Sequence, residues 1–196
     1  MRKLAVLMFQ TLDGVIQGPS SPDEDPSDGF TQGGWAVPYW EGVMAQVLVE
    51  AMDAPYDILF GRRTYDIFAG HGPGDGPENP AATKLHQARK YVVTSQGGSL
   101  EWNNSYVLKG GMISAVTRLK AENGPLLQTH GSGQLVHSLL AAGLVDELRL
   151  WTFPVVLGAG RKMFPNGSPL ASFQTLKSVP VENGTVMTIY RSAGRA

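Results

Sequence analysis

Leu126-Leu127-Gln128-Thr129-His130-Gly131-Ser132-Gly133-Gln134-Leu135-Val136 is the stretch on which the fold turns. An apolar extended run, Pro125 to Thr129, enters it. A helical pattern, Leu135, Val136, Leu139 and Leu140, leaves it and closes near Gly143. Between the two lies Gly131-Ser132-Gly133. Strand, glycine turn and helix start make a layout that holds phosphate. Small residues let backbone approach a ligand, and the helix start offers unpaired N–H groups at the positive end of its dipole. The turn is only part of a G-x-G-x-x-G pattern, because position 136 is Val, and it lacks the Lys-Ser/Thr of a P-loop. A bare strand-to-helix turn remains the competing reading.

The same layout recurs upstream. Tyr56 to Phe60 reads as a strand, and Gly61-Arg62-Arg63-Thr64-Tyr65 opens a short helix directly after it. Cations are disfavoured at a helix start unless an anion joins them, and guanidinium forks fit phosphate oxygens. Lys90 to Thr94 reads as a further strand, ending in Thr94-Ser95-Gln96, whose hydroxyls suit a phosphate or sugar edge or a simple turn. Each turn is weak evidence. Three at strand carboxyl ends point to an extended phosphorylated ligand such as a dinucleotide.

Outward from these turns, Leu4 to Phe9 is a continuous apolar run, as expected of a strand buried on both faces. Its basic start, Arg2-Lys3, resembles the opening of a signal peptide, but Gln10 and Asp13 interrupt too short an apolar run. Gln17 to Gly34 holds Pro19, Pro22 and Pro26 beside Asp23, Glu24, Asp25 and Asp28, and reads as a functional lid or a disordered insertion. Trp35, Tyr39 and Trp40 then lead into a helix from about Tyr39 to Met52. These aromatics line a pocket for a flat ligand or pack the helix on the sheet. Ala69 to Pro80 reads as a loop, Ala81 to Ala88 and Ile113 to Ala121 as helices, and Ser105 to Leu108 and Val145 to Phe153 as strands. Phe173 to Val179 and Val186 to Arg191, parted by Asn183-Gly184, form a terminal hairpin. The pattern predicts one α/β domain over 196 residues: a mostly parallel, twisted sheet flanked by helices, with an antiparallel C-terminal hairpin.

Composition narrows the function. With no cysteine, disulfides, thiolate zinc sites and thiol catalysis are excluded. A net charge of −1 gives no field for nucleic acid or an anionic membrane surface, and no apolar run spans a bilayer. The cytoplasm is the default compartment. His71, His86, His130 and His137 show no short metal-ligand spacing.

The residues Thr11-Leu12-Asp13-Gly14, Gly61 to Tyr65, Tyr91 to Ser95, Gly131 to Leu135, and Asp146 to Leu150 leading into Pro154-Val155-Val156-Leu157-Gly158 occur in this order. Together they resemble the dihydrofolate reductase-like family over nearly the whole chain. The pattern is most similar to the reductase domain of the bifunctional riboflavin-biosynthesis deaminase-reductase and its stand-alone homologues. The resemblance implies a dihydrofolate reductase-like three-layer fold that binds NADPH across the strand ends and passes a hydride to a small pterin- or pyrimidine-like heterocycle. Carried over by position, Gly61, Arg62, Arg63 and Thr64 would hold the pyrophosphate and 2′-phosphate side. Thr94, Ser95 and Gln96 would line the adenosine end. Gly131, Ser132, Gly133, Gln134 and Leu135 would cradle the pyrophosphate, and Phe9 and Ile16 would bracket the nicotinamide. Residues 17–34 would form the active-site loop, and a homodimer would use the Trp151 to Val156 region and the hairpin. On the substrate side stand Trp35, Tyr39, Trp40 and Trp151, with Asp13, Glu41 or ordered water as proton donor.

Three departures stand out. Ala45 occupies the position, counted back from Gly61, where dihydrofolate reductase proper carries its pterin-binding carboxylate. Trp151 replaces a small polar residue. Gln134, often Arg in the reductase proper, adds no charge, which leaves 2′-phosphate selectivity to Arg62 and Arg63. Arg161 and Lys162 are a candidate second phosphate site or a solvated pair. Two alternatives stay open: an NADP(H)-binding module with little or no catalysis, and an unrelated ATP-binding protein. The second is opposed by the missing Lys-Ser/Thr and the lack of an evident Mg²⁺ carboxylate.

Overall fold

A computed structural model describes residues 1–70, 80–95 and 98–194. Gln96, His71 and most of the stretch from Ala69 to Pro80 lie outside the described residues. The first strand, β1 (Leu4–Thr11), is apolar from Leu4 to Phe9 because both of its faces are covered. Leu7 and Phe9 face one core and Val6 and Met8 the other, as the two-residue period of a strand requires. The chain continues through α1 (Trp40–Ala51), β2 (Tyr56–Gly61), α2 (Arg62–Gly70), α3 (Pro80–Gln87), β3 (Lys90–Val93) and β4 (Ser105–Val107). Next come α4 (Met112–Ala121), β5 (Leu126–Thr129), α5 (Gly133–Ala141) and β6 (Glu147–Phe153), and β7 (Phe173–Pro180) and β8 (Val186–Ser192) end it.

The strands form one eight-stranded sheet in the order β4-β3-β2-β5-β1-β6-β8-β7. The first six run parallel, β8 pairs antiparallel with β6, and β7 pairs antiparallel with β8. This is the dihydrofolate reductase-like architecture expected from the sequence. Val43, Val47 and Ala51 of α1, Tyr65 of α2 and Ala81 of α3 bury into the core on one face. Val116 and Leu119 of α4 with Leu135, Val136 and Leu139 of α5 bury into the core on the other. Element boundaries shift by a residue or two from the sequence reading, chiefly because α2 runs on to Gly70.

Topology decides where ligands can go. β5 inserts between β2 and β1, so the strand ends that carry Gly61, Gly131 and Thr11 stand side by side. The opposite edge is sealed by ion pairs: Arg2 with Asp57, both buried, and Lys120 with Asp146 at 2.5 Å. Asp146 also accepts the N–H of Leu4 at 2.7 Å, which fixes the start of β1 beside β6. Among the described residues no helix is long and apolar enough to cross a membrane.

The region named for an interface, Trp151 to Val156, is partly buried within the chain. Trp151 and Phe153 have no exposed surface and belong to the chain's own core. Register explains this. Trp151 lies between Phe9 of β1 and Met187 of β8, on the face that α1 covers. Of the named region, Val156 is largely exposed.

Candidate functional site

At the carboxyl ends of β2, β5 and β1 lies a cavity of about 920 Å³. The glycine turn forms one end. Gly131 has φ of 123°, a region side chains rarely adopt, and a Cβ there would stand 3.2 Å from Thr64 Oγ1. A Cβ on Gly61 would stand 2.8 Å from Ser132 Oγ. These two glycines therefore let the β2–α2 and β5–α5 turns close on each other. The Gly131–Ser132 peptide is cis. Ser132 caps α5 with extended backbone and makes no side-chain capping bond, so the first N–H groups of the helix stay available to a ligand. Gly131, Ser132, Gly133, Gln134 and Thr64 all line the cavity.

The segment after β1 forms the roof, and it is docked rather than splayed. Gln17, 3% exposed, is its hub. Its Nε2 donates to the carbonyls of Asp25 and Ser27, each at 3.0 Å, and its Oε1 accepts the N–H of Arg161 at 3.0 Å. Trp35 Nε1 donates to the Gln17 carbonyl at 2.8 Å. Asp25 pairs with both Arg63 and Arg161, and Arg161 reaches Ser27 at 2.6 Å and Asp28 at 3.1 Å. Thus Asp25 and Asp28 tie this loop to two arginines at the rim. Lys162 lines the same rim.

The inner end is apolar. Phe9 packs edge-on to Trp40 at 5.9 Å, and with Ile16 it forms the wall next to the glycine turn. Met44 and Val47 of α1, Phe68 of α2, Leu85 of α3 and Trp102 enclose a chamber beyond. The polar side chains lining this chamber, among the described residues, are His86 and His130. Enclosure pushes His130 down to about 4, so it is neutral at ordinary pH.

Several residues named from sequence lie elsewhere. Asp13 accepts from Thr11 Oγ1 at 2.6 Å and from the N–H groups of Leu157 and Gly158 at 3.2 and 2.9 Å. The Thr11 hydroxyl and these N–H groups hold its carboxyl below the usual range and anchor the turn after β1. Glu41 is exposed in the first turn of α1, beside a separate shallow depression shared with Tyr39 and Asn183. Tyr39 packs edge-on to Phe153 at 5.7 Å, Trp35 roots the loop, and Trp151 donates to Gln46 Oε1 at 2.9 Å, all outside the cavity lining. Leu135 is core, and Thr94 and Ser95 lie beyond the cavity towards β3. The cavity-facing residues of α1 are Trp40, Met44 and Val47, whereas Ala45 is exposed.

The paired arginines also separate. Arg62 holds Asp66 through Nε at 2.9 Å and turns towards the Ser99 carbonyl, while Arg63 turns to Asp25 and the loop. Sequence reasoning missed Gln17, Met44, His86 and His130 as site residues. Met44 and Val47 are three apart on α1, a spacing that signals a shared face. For the others no local pattern exists.

Residues 2–187 match the family model described as the RibD C-terminal domain. An uncharacterized protein of Bacillus subtilis (strain 168), YyaP, is 25% identical over 202 residues that cover 98% of this chain and 96% of its own. A putative riboflavin biosynthesis protein from Shewanella sp. PV-4 superposes with a TM-score of 0.70 at 20% identity, covering 98% of this chain and 99% of that one. A pyrimidine reductase-like protein of Corynebacterium diphtheriae gives 0.62 at 12% identity over 98% and 92%. Dihydrofolate reductase of Enterococcus faecalis, complexed with NADP(H) and RAB-propyl, gives 0.61 at 15% identity over 98% and 97%.

Proposed function

The chain belongs to the RibD C-terminal domain family, a reductase-type family, and on that premise we propose that it is an NADPH-dependent reductase of a small pterin- or pyrimidine-like heterocycle. One observation carries the proposal. A single cavity joins a helix start and glycine turn, suited to a diphosphate, to an apolar chamber suited to a flat ring.

The residues present fit a nicotinamide dinucleotide. The N–H groups at the start of α5 and the hydroxyls of Ser132 and Thr64 offer donors to the diphosphate. Phe9 and Ile16 offer an apolar wall to the nicotinamide ring. Gln134 brings no charge, so preference for a 2′-phosphate falls to Arg62, with Thr94 and Ser95 on the same side. When bound, the reduced nicotinamide supplies the hydride. The protein's part is orientation and exclusion of water. The roof held by Gln17 covers the cavity, and Trp40, Met44 and Phe68 keep the inner chamber dry. Neither Asp13 nor Glu41 reaches this chamber, so a water admitted past the roof is the proton source in this reading.

One observation favours a second reading, a nucleotide-binding module with little catalysis. The cavity-lining carboxylates among the described residues, Glu24, Asp25 and Asp28, all sit on the roof, and the α1 wall is Met44 and Val47. Steady-state oxidation of NADPH against a panel of pterins and pyrimidines separates the two. Turnover of any member supports the reductase. Saturable NADPH binding with no turnover on the panel supports the module.

A further inference from the structure

The two histidines of the inner chamber are both locked as the Nε2–H tautomer, but are tethered through opposite ring nitrogens, by groups whose hydrogen-bonding roles admit no choice. Gln128 is buried, and its side chain points one amide atom at the Ala51 carbonyl, the last residue of α1. A carbonyl only accepts, so that atom is the amide nitrogen, and the amide oxygen faces His130 Nε2 at 3.2 Å. An amide oxygen also only accepts. His130 Nε2 therefore carries the proton. The ring is neutral and stands edge-on to Phe60 and Phe68, at 6.4 and 5.9 Å, so its Nδ1 carries a lone pair. His86 is the same tautomer but is tethered through its other nitrogen, which leaves its Nε2–H to donate. Its Nδ1 lies 3.2 Å from Trp102 Nε1, an indole N–H that only donates. His86 Nδ1 is thus the acceptor and the ring proton sits on Nε2. Trp102 is itself held in place: its backbone N–H donates to Tyr65 Oη at 2.8 Å, and Lys90 Nζ stands 4.3 Å over its ring.

We infer that His130 and His86 are the specificity-determining pair of the inner chamber, a fixed acceptor and a fixed donor that select a neutral cyclic amide presenting N–H and C=O groups. The inference rests on the reductase reading only in taking this chamber as the substrate's place. Met44, Val47, Phe68 and Leu85 supply no competing polar group. A ring whose N–H is replaced by N-methyl leaves the His130 lone pair unpaired and must fit a methyl group against it. An ionised ring meets no opposite charge in an apolar enclosure. Selection by one unmet hydrogen bond is modest in size, about tenfold in affinity.

The test uses uracil and N,N′-dimethyluracil as probes of the whole chain, titrated calorimetrically with saturating NADP⁺ so that no turnover occurs. Uracil is expected to bind about tenfold more tightly than the dimethyl compound. In His130→Phe that ratio is expected to fall towards one. In His130→Asn, which returns an acceptor to the δ position, the ratio is expected to recover. Equal binding of the two probes by the unaltered chain overturns the inference, as does uracil failing to bind a chain that binds NADP⁺. An undiminished ratio in His130→Phe does so too. Selective binding of uracil by a chain that takes no nicotinamide nucleotide supports the pair and refutes the reductase reading alone.

Discussion

Replacing Gln17 by Leu removes three hydrogen bonds from the centre of the roof. The Asp25 and Ser27 carbonyls lose their donor, and the Arg161 N–H loses its acceptor. A buried hydrogen bond is worth ~1 kcal/mol net, so the roof loses about 3 kcal/mol, roughly two powers of ten in its opening equilibrium. The ion pairs at the rim do not offset this. Arg63 and Arg161 are about half exposed, and pairs of that kind contribute ~0–1 kcal/mol. Arg161→Ala should therefore disturb the roof less than Gln17→Leu does. Amide hydrogen exchange reads the difference directly. Gly34 donates to the Gly18 carbonyl at 2.8 Å and Ala36 to the Pro19 carbonyl at 3.0 Å, so both report roof opening. Exchange at these two amides should quicken about a hundredfold in Gln17→Leu, with β1 and β5 amides little changed. Unchanged exchange at Gly34 and Ala36, or equal quickening across the sheet, would refute the hub role of Gln17.

Arg62→Ala should weaken NADPH binding tenfold or more while sparing NADH, because Arg62 turns towards the β3 side. Arg63→Ala should affect both nucleotides alike, and the reverse pattern would exchange their roles. His130 titrates near 4 when folded against its ordinary 6.5. Between those values the unfolded chain binds more protons, so stability is complete above pH 6.5 and falls as pH drops towards 4. Each pH unit of that gap corresponds to ~1.36 kcal/mol, an upper bound of about 3 kcal/mol, and solvent in the cavity lowers it. Urea midpoints across this range should fall more steeply for the unaltered chain than for His130→Phe, and parallel curves would count against a buried neutral His130. Glu41→Gln should leave NADPH oxidation within about twofold of the original, since Glu41 is exposed outside the cavity; a loss of tenfold or more would return it to the chemistry.

The parts of the fold legible in the sequence are those that depend on local rules. Leu4 to Phe9 is apolar without alternation because helices cover both faces of β1. Asn183-Gly184 marks the hairpin because only such residues suit its turn, and Gly184 indeed has φ of 88°. The three turns could be placed on one edge because β3, β2 and β5 run parallel and adjacent. Long-range pairing was not legible. Nothing near Trp151 announces that its register with Phe9 turns it into the core, and nothing near Gln17 announces that Asp25, Ser27 and Arg161 converge on it. The divergence of Arg62 and Arg63 was legible in principle. Neighbours on a helix with 3.6 residues per turn point about 100° apart, so one ligand phosphate seldom meets both. The tautomers of His130 and His86 depend on Gln128 and Trp102, which lie near them only in the folded chain.

The reductase reading requires that the cavity take a reduced nicotinamide nucleotide. Trp40 and Trp102 line that cavity, so their emission should be quenched by the nicotinamide ring. Titration of the unaltered chain with NADPH, following tryptophan emission, is the most direct measurement. The expected result is saturable quenching with a micromolar midpoint that NADP⁺ reverses by competition. Emission that shows no saturable change up to millimolar NADPH would contradict the account.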